Sequence, residues 1–176
     1  MKTVNTLRLK YWTYVFGWIG LIYSTLCIVR PVCQFLKAHT PFALIMEAVS
    51  IGILLYLLIQ FLRERRTFLI YGLFIIAMVL YTYNLKLLEY PEEKIHYLEY
   101  GILGYLFLNA LRLHCRPPAA YFWAFILTVL VGWGDEMIQY ILPNRYFQWN
   151  DVLLNLQAGA MGLILTFLFQ RVKKGS

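Results

Sequence analysis

Charged residues are scarce in this sequence. Only 14% of its 176 residues are Asp, Glu, Lys or Arg, against 61% that are hydrophobic. That balance excludes a soluble domain, because a body of this size leaves too much of its surface exposed to hide so much apolar area. Lipid is therefore the solvent for most of the chain. Cysteine is sparse too. The three cysteines, Cys27, Cys33 and Cys115, are odd in number and contain no Cys-x-x-Cys pair, so neither a disulfide framework nor a zinc site is signalled. A Cys27–Cys33 bridge is the one pairing left to consider. No low-complexity tract, internal repeat or soluble domain is visible, and residues 1–176 read as a single transmembrane domain. The formal charge of +7 comes without a basic, aromatic-interleaved stripe on a soluble face. Nucleic acid is not an expected partner, and the basic residues read as membrane anchors.

What is present is a series of apolar segments, each near the 20 or so residues a bilayer-crossing helix needs. Six are expected, over about 11–30, 41–62, 67–87, 94–112, 119–142 and 150–170. The segments lack the two-residue alternation of a barrel, so an all-α, polytopic helical bundle is the expected fold. The first segment is too long for a signal-peptide core and no clean cleavage site follows, so it reads as a retained span. It is expected to stop near Arg30-Pro31, because proline disfavours helix in the residue before it. Pro91-Glu92-Glu93 opens the fourth, with proline and carboxylates suited to a first helical turn.

Charge is distributed unevenly about these spans. Eleven of the 16 basic residues fall in the two tails and the second and fourth loops; Arg30, Lys37, Lys86, Lys94 and Arg145 lie on the other side. The positive-inside rule then places both termini in the cytoplasm. Of the nine acids only Glu64 lies with the basic majority. The expected location is a bacterial cytoplasmic membrane, crossed several times.

The acids recur with helical spacing. Glu92, His96, Glu99 and Tyr100 share one face of the fourth segment at about 100° per residue. Asp135 and Gln139 are four apart on the fifth, with Glu136 adjacent, and Asp151 and Asn155 are four apart on the sixth. Ala158 and Gly162 continue that last stripe as a small-xxx-small contact that lets a neighbouring helix approach. All three polar faces lie near the outward ends of their segments. Ionisable groups in hydrocarbon cost at least about 2.5 kcal/mol each and usually face the bundle interior or water. A shared polar site near the outer leaflet is therefore expected.

Two stretches, "EEKIHYLEYGILGYL" and "DEMIQYILPNRYFQWNDVLLNLQAGAMG", resemble motifs of the VanZ-like family of small bacterial membrane proteins. The first is similar to its acidic-Lys-x-x-His...Tyr pattern, with one residue rather than two between Lys94 and His96. The second is similar to its Asp-Glu-x-x-Gln, Arg-containing turn and Asp-x-x-x-Asn pattern. The resemblance covers about residues 85–165, with Glu93 where Asp is more usual; the first three segments, which resemble the family only in hydropathy, read as an N-terminal extension of that core. It implies Glu93, Lys94, His96, Tyr100, Asp135, Glu136, Gln139, Arg145, Asp151 and Asn155 as site residues. It also implies an association with low-level resistance to the glycopeptide teicoplanin, and no particular reaction.

Each residue has a plainer reading beside the functional one. His96 suits acid–base work when a carboxylate orients it, or it is a histidine bonded between helices. Asp135 and Glu136 form a general-base pair, or a helix end meeting water. Arg145 clamps a phosphate or carboxylate, or pairs with Asp151 to hold the loop. Asn155 reads as interhelical glue as readily as a ligand contact, and Lys94 as a snorkelling anchor. Glu99 completes the candidate substrate-binding set, and Glu47 has an ion pair with Arg30 or Lys86 as its plain reading. Trp133, Tyr146 and Trp149 read as an interfacial belt. No cofactor is expected: a single candidate histidine without His-Glu-x-x-His spacing argues against zinc, and Ca²⁺ or Mg²⁺ is the better fit to the carboxylates if a metal binds. The expected partners are membrane lipids, a lipid-linked precursor or a lipoglycopeptide. Either acid–base catalysis at His96, Asp135 and Glu136 or non-catalytic binding or transport of an amphiphile or ion is compatible with this pattern. Oligomeric state is left open.

Overall fold

The computed structural model describes residues 2–88, 90–142 and 147–171, apart from the side chains of residues 2–4, 30, 91 and 92. These residues form six helices: α1 (Lys2–His39), α2 (Phe42–Leu62), α3 (Phe68–Leu87), α4 (Pro91–Leu111), α5 (Pro117–Ile141) and α6 (Trp149–Phe169). Among the described residues, five helical segments are long and apolar enough to cross a membrane: Asn5–Val29 of α1, and α2, α3, α5 and α6. The protein is a multi-pass membrane protein. Large apolar side chains such as Phe16, Leu44, Leu69 and Ile76 stand exposed on α1–α3, as lipid contact requires.

α4 falls short of the other five in apolarity, and its position explains why. It packs most extensively against α6 and is also flanked by α1, α5 and α2. Tyr97, Tyr100, Leu103 and Leu108 of α4 are fully buried. A helix wrapped by others need not present an apolar surface to lipid, so it tolerates polar residues.

The expected end of α1 at Arg30-Pro31 is not observed. The helix continues through Pro31 to His39. Proline removes only one backbone hydrogen bond, and the helix runs on past it with Cys33 buried two residues later. That continuity also keeps Cys27 and Cys33 apart. Six residues of helix separate their Cα atoms by about 9 Å, beyond disulfide reach, and the cysteines carry no disulfide.

Small residues bring α4, α5 and α6 together. A Cβ added to Gly162 of α6 would fall 2.8 Å from the Gly101 Cα of α4, and one on Gly104 would lie 3.1 Å from the Gly159 carbonyl oxygen. On its other flank, a Cβ at Gly159 would meet Thr128 Cγ2 of α5 at 2.7 Å. The small stripe through Ala158 and Gly162 is thus the seat of the α4–α6 crossing.

Arginines tie one end of the bundle. Arg66, only 7% exposed, donates through Nη1 to the Phe61 and Glu64 carbonyls at 2.9 and 3.1 Å and through Nη2 to the Phe169 carbonyl at 2.9 Å. It therefore caps the C-terminal ends of both α2 and α6, where unpaired carbonyls carry partial negative charge. Arg8 donates to the Leu113 carbonyl just beyond α4, at 2.8 Å, and Arg112 bonds Tyr121 and Gln170. Residues near 8, 66, 112 and 170 thus share one end, and the carboxylate-rich segments meet at the other.

Replacing Gly162 by Val is expected to destabilise the fold by about 1–3 kcal/mol, the range for overpacked positions. Replacing Gly72 by Ala, where a Cβ meets open space, should change stability little. Unfolding in mixed micelles measures both.

Candidate functional site

The polar faces of α4 and α5 meet at Asp135, which has no exposed surface. Its Oδ2 accepts a hydrogen bond from the Tyr100 hydroxyl at 2.9 Å, and its Oδ1 accepts one from Gln139 Nε2 at 3.2 Å. The same Gln139 amide donates to Glu136 Oε1 at 3.1 Å. Glu136 is nearly as buried, and its Oε2 accepts from the Gln148 backbone N–H, at the entry to α6, at 3.2 Å. Gln139 therefore bridges two buried carboxylates from one turn along their own helix. The i, i+3 and i, i+4 spacing of α5 makes this possible.

His96 reaches the same carboxylate from α4. Its Nδ1 lies 3.3 Å from Glu99 Oε2 and 3.9 Å from Asp135 Oδ2. Nδ1 is buried, and neither approach is aligned as a hydrogen bond, so the two carboxylates act on the ring by proximity and would form an ion pair with its protonated form. The side chain keeps 19% of its surface exposed, and of its two ring nitrogens Nδ1 is the one buried without a partner.

From α6, Asn155 packs directly on this group. A Cβ on Gly132 of α5 would fall 2.9 Å from Asn155 Cβ and 3.3 Å from Tyr100 Cε1. Only a glycine at 132 lets the three helices close here. Asn155 is 2% exposed and its Oδ1 has no hydrogen-bond donor among the described residues, a costly state for a buried acceptor. Asp151, one turn earlier, is half-buried and within electrostatic reach of His96 and Glu136.

The structure thus assembles His96, Glu99, Tyr100, Asp135, Glu136, Gln139, Asp151 and Asn155. Two other expected members lie elsewhere. Glu93 accepts from the Tyr90 backbone N–H at 3.2 Å, at the start of α4. Lys94 faces α2 and α3, beside Met46, Ser50 and Leu85. Arg145 and Tyr146 fall outside the described residues. Glu47 is exposed on α2. Among the described residues no three His, Cys, Asp or Glu side chains converge to hold a metal ion.

Two residues of α1 join the site without having been anticipated. Trp18 Nε1 donates to the Glu99 carbonyl at 3.0 Å, and the Tyr23 hydroxyl donates to the Val131 carbonyl at 2.9 Å, one turn before Asp135. They brace α1 against the site-bearing turns of α4 and α5. Gly134 leaves room for the Tyr23 hydroxyl, which would lie 2.8 Å from a Cβ there. Nothing in the sequence marks either residue beyond its being a Tyr or Trp in an apolar helix.

Fold and site together describe a polytopic helical membrane protein with a buried carboxylate and histidine cluster at one end of its bundle. The VanZ/LLP1 family model matches residues 11–170, nearly the whole chain, and the protein belongs to that family. The match takes in α1–α3 as well as the motif-bearing helices. No curated protein and no solved structure matches the chain.

Removing the bridging amide should be costly. Gln139→Leu is expected to lose about 1–3 kcal/mol of stability, because two buried carboxylates each lose a donor. The loss should shrink when Asp135 is already Asn, and unfolding of the single and double variants measures it.

Proposed function

We propose that this protein carries an acid–base site for an amphiphile of the outer leaflet, a lipid or a lipid-linked cell-envelope precursor. The observation that carries the reading is His96. Its Nδ1 is buried against Glu99 and Asp135 while its side chain keeps 19% of its surface exposed, which supports a reachable Nε2. Carboxylates at Nδ1 orient a ring and stabilise its protonated form, leaving the other nitrogen to exchange a proton. In this reading Nε2 accepts a proton from water or a substrate hydroxyl and returns it to the departing group. Asp135 holds the charge on the ring, itself fixed by Tyr100 and Gln139. Glu136 serves as the second carboxylate, and Arg145 meets an anionic headgroup. No serine or cysteine stands in the cluster, so the proposed chemistry proceeds without a covalent intermediate on those residues. Both termini face the cytoplasm in this reading, because the arginine-tied end is the positive one, and the site then opens to the outside of a bacterial cytoplasmic membrane. Action on an envelope lipid or on a lipoglycopeptide there would contribute to teicoplanin resistance.

A second reading rests on a different observation. The unpartnered Asn155 Oδ1, buried beside Tyr100, suits a ligand that supplies a donor. The cluster would then bind or pass an amphiphile or ion without changing it.

Lipid extracts from cells with and without the protein separate the two. Catalysis predicts a changed lipid species that disappears in His96→Ala and Asp135→Asn. Binding or transport predicts unchanged extracts. Full teicoplanin protection by both variants, at normal expression, would contradict a role for the cluster in either form.

A further inference from the structure

The face of α4 opposite His96 borders open space. Between α2 and α3 on one side and α4 and α6 on the other runs a groove of about 520 Å³, walled by Leu57, Ile102, Leu165 and Phe169 and also lined by Asn109 and Gln170. A smaller cavity of about 70 Å³ lies above it and is lined by Lys94 and Ser50. Ile53, Tyr81 and Leu98 line both, so the two adjoin. The Ser50 hydroxyl is bonded to its own helix, at the Met46 carbonyl. Among the described residues, Lys94 supplies the one positive charge lining this cleft.

The dimensions are those of a lipid chain. From Lys94 to Asn109 the helix rises about 22 Å, whereas half the hydrocarbon core is about 15 Å. A chain lying in the groove starts at headgroup level and passes the midplane. The walls are nearly all apolar, and Gly101 and Gly162 add bare backbone to them. The Lys94 ammonium makes no hydrogen bond or ion pair among the described residues. A cation at the mouth of an apolar channel complements a phosphate followed by a hydrocarbon tail.

We propose that this cleft holds one anionic phospholipid, its phosphate at Lys94 and an acyl chain in the groove between α2, α3, α4 and α6. The site is separate from the His96 cluster, being on the other side of α4. It assigns Lys94 to a bound lipid rather than to that cluster, and it explains how α2 and α3 stay attached with few direct contacts to the rest of the bundle.

Native mass spectrometry tests this on the full chain, reconstituted in nanodiscs with equal phosphatidylglycerol and phosphatidylcholine and then released. The wild type should retain one lipid, with phosphatidylglycerol favoured about fivefold, the preference one lysine at a membrane surface provides. Lys94→Gln should keep a lipid and lose the preference. Leu98→Trp, and separately Ile53→Trp from the facing wall, should fill the groove and release it while the protein still unfolds cooperatively. Equal retention of both lipids by the wild type, an unchanged preference in Lys94→Gln, or full retention in whichever tryptophan variant folds would overturn the proposal. So would a second copy of the chain found in place of lipid. None of these readings depends on whether His96 is catalytic.

Discussion

The contact between Gly101 of α4 and Gly162 of α6 sets the geometry on which the site depends. Backbone meets backbone there, with no room for even a methyl group. Within a bilayer, close packing has to supply what hydrophobic burial supplies in water, and small residues at a crossing are how helices achieve it. One turn toward the carboxylate-rich end, Gly159 admits Thr128, and another turn on, Gly132 admits Asn155 and Tyr100. The three-helix approach that begins as a packing device ends as a polar cluster. Asp135, Glu136 and Asn155 are almost wholly buried because the helices bearing them are this close.

That burial sets a second condition. Several carboxylates in a low-dielectric interior need donors, and the structure supplies them economically. Tyr100 and Gln139 serve Asp135, and Gln139 and the Gln148 backbone serve Glu136. His96 of α4 stands beside them as a proton acceptor, and it approaches without ideal hydrogen-bond alignment. A site satisfied on every side would be structural. This one leaves part of the His96 side chain exposed and, among the described residues, the Asn155 amide oxygen unpartnered. α4 carries His96, Glu99 and Tyr100 and is packed among α6, α1, α5 and α2, which is how a chain this apolar shelters the cluster.

Much of this was legible before any coordinates. The i, i+4 pairs on α5 and α6 and the His96, Glu99, Tyr100 face of α4 follow from helical period alone, and the structure brings them together. Lys94 shows where motif adjacency misleads: it is two residues from His96, and two residues turn a helix through about 200°, so it serves the opposite face. Trp18 and Tyr23 were not legible, because a lone aromatic in an apolar helix looks the same whether it meets lipid or a carbonyl. The capping by Arg8 and Arg66 was hidden for a related reason, since an arginine beside a span reads as an anchor until the helix ends it reaches are known. Pro31 misled in the other direction: a residue that usually ends a helix in water did not end α1.

The central claim is that α4 and α5 form one coupled polar unit at Asp135. A double-mutant cycle of Tyr100→Phe and Asp135→Asn, followed by reversible unfolding in mixed micelles, tests it most directly. The geometry predicts a coupling of about 0.5–3 kcal/mol, the range for residues in one hydrogen-bond network. Effects that add to within about 0.3–0.5 kcal/mol, as for distant sites, would mean that the two residues do not share a site and would contradict the account.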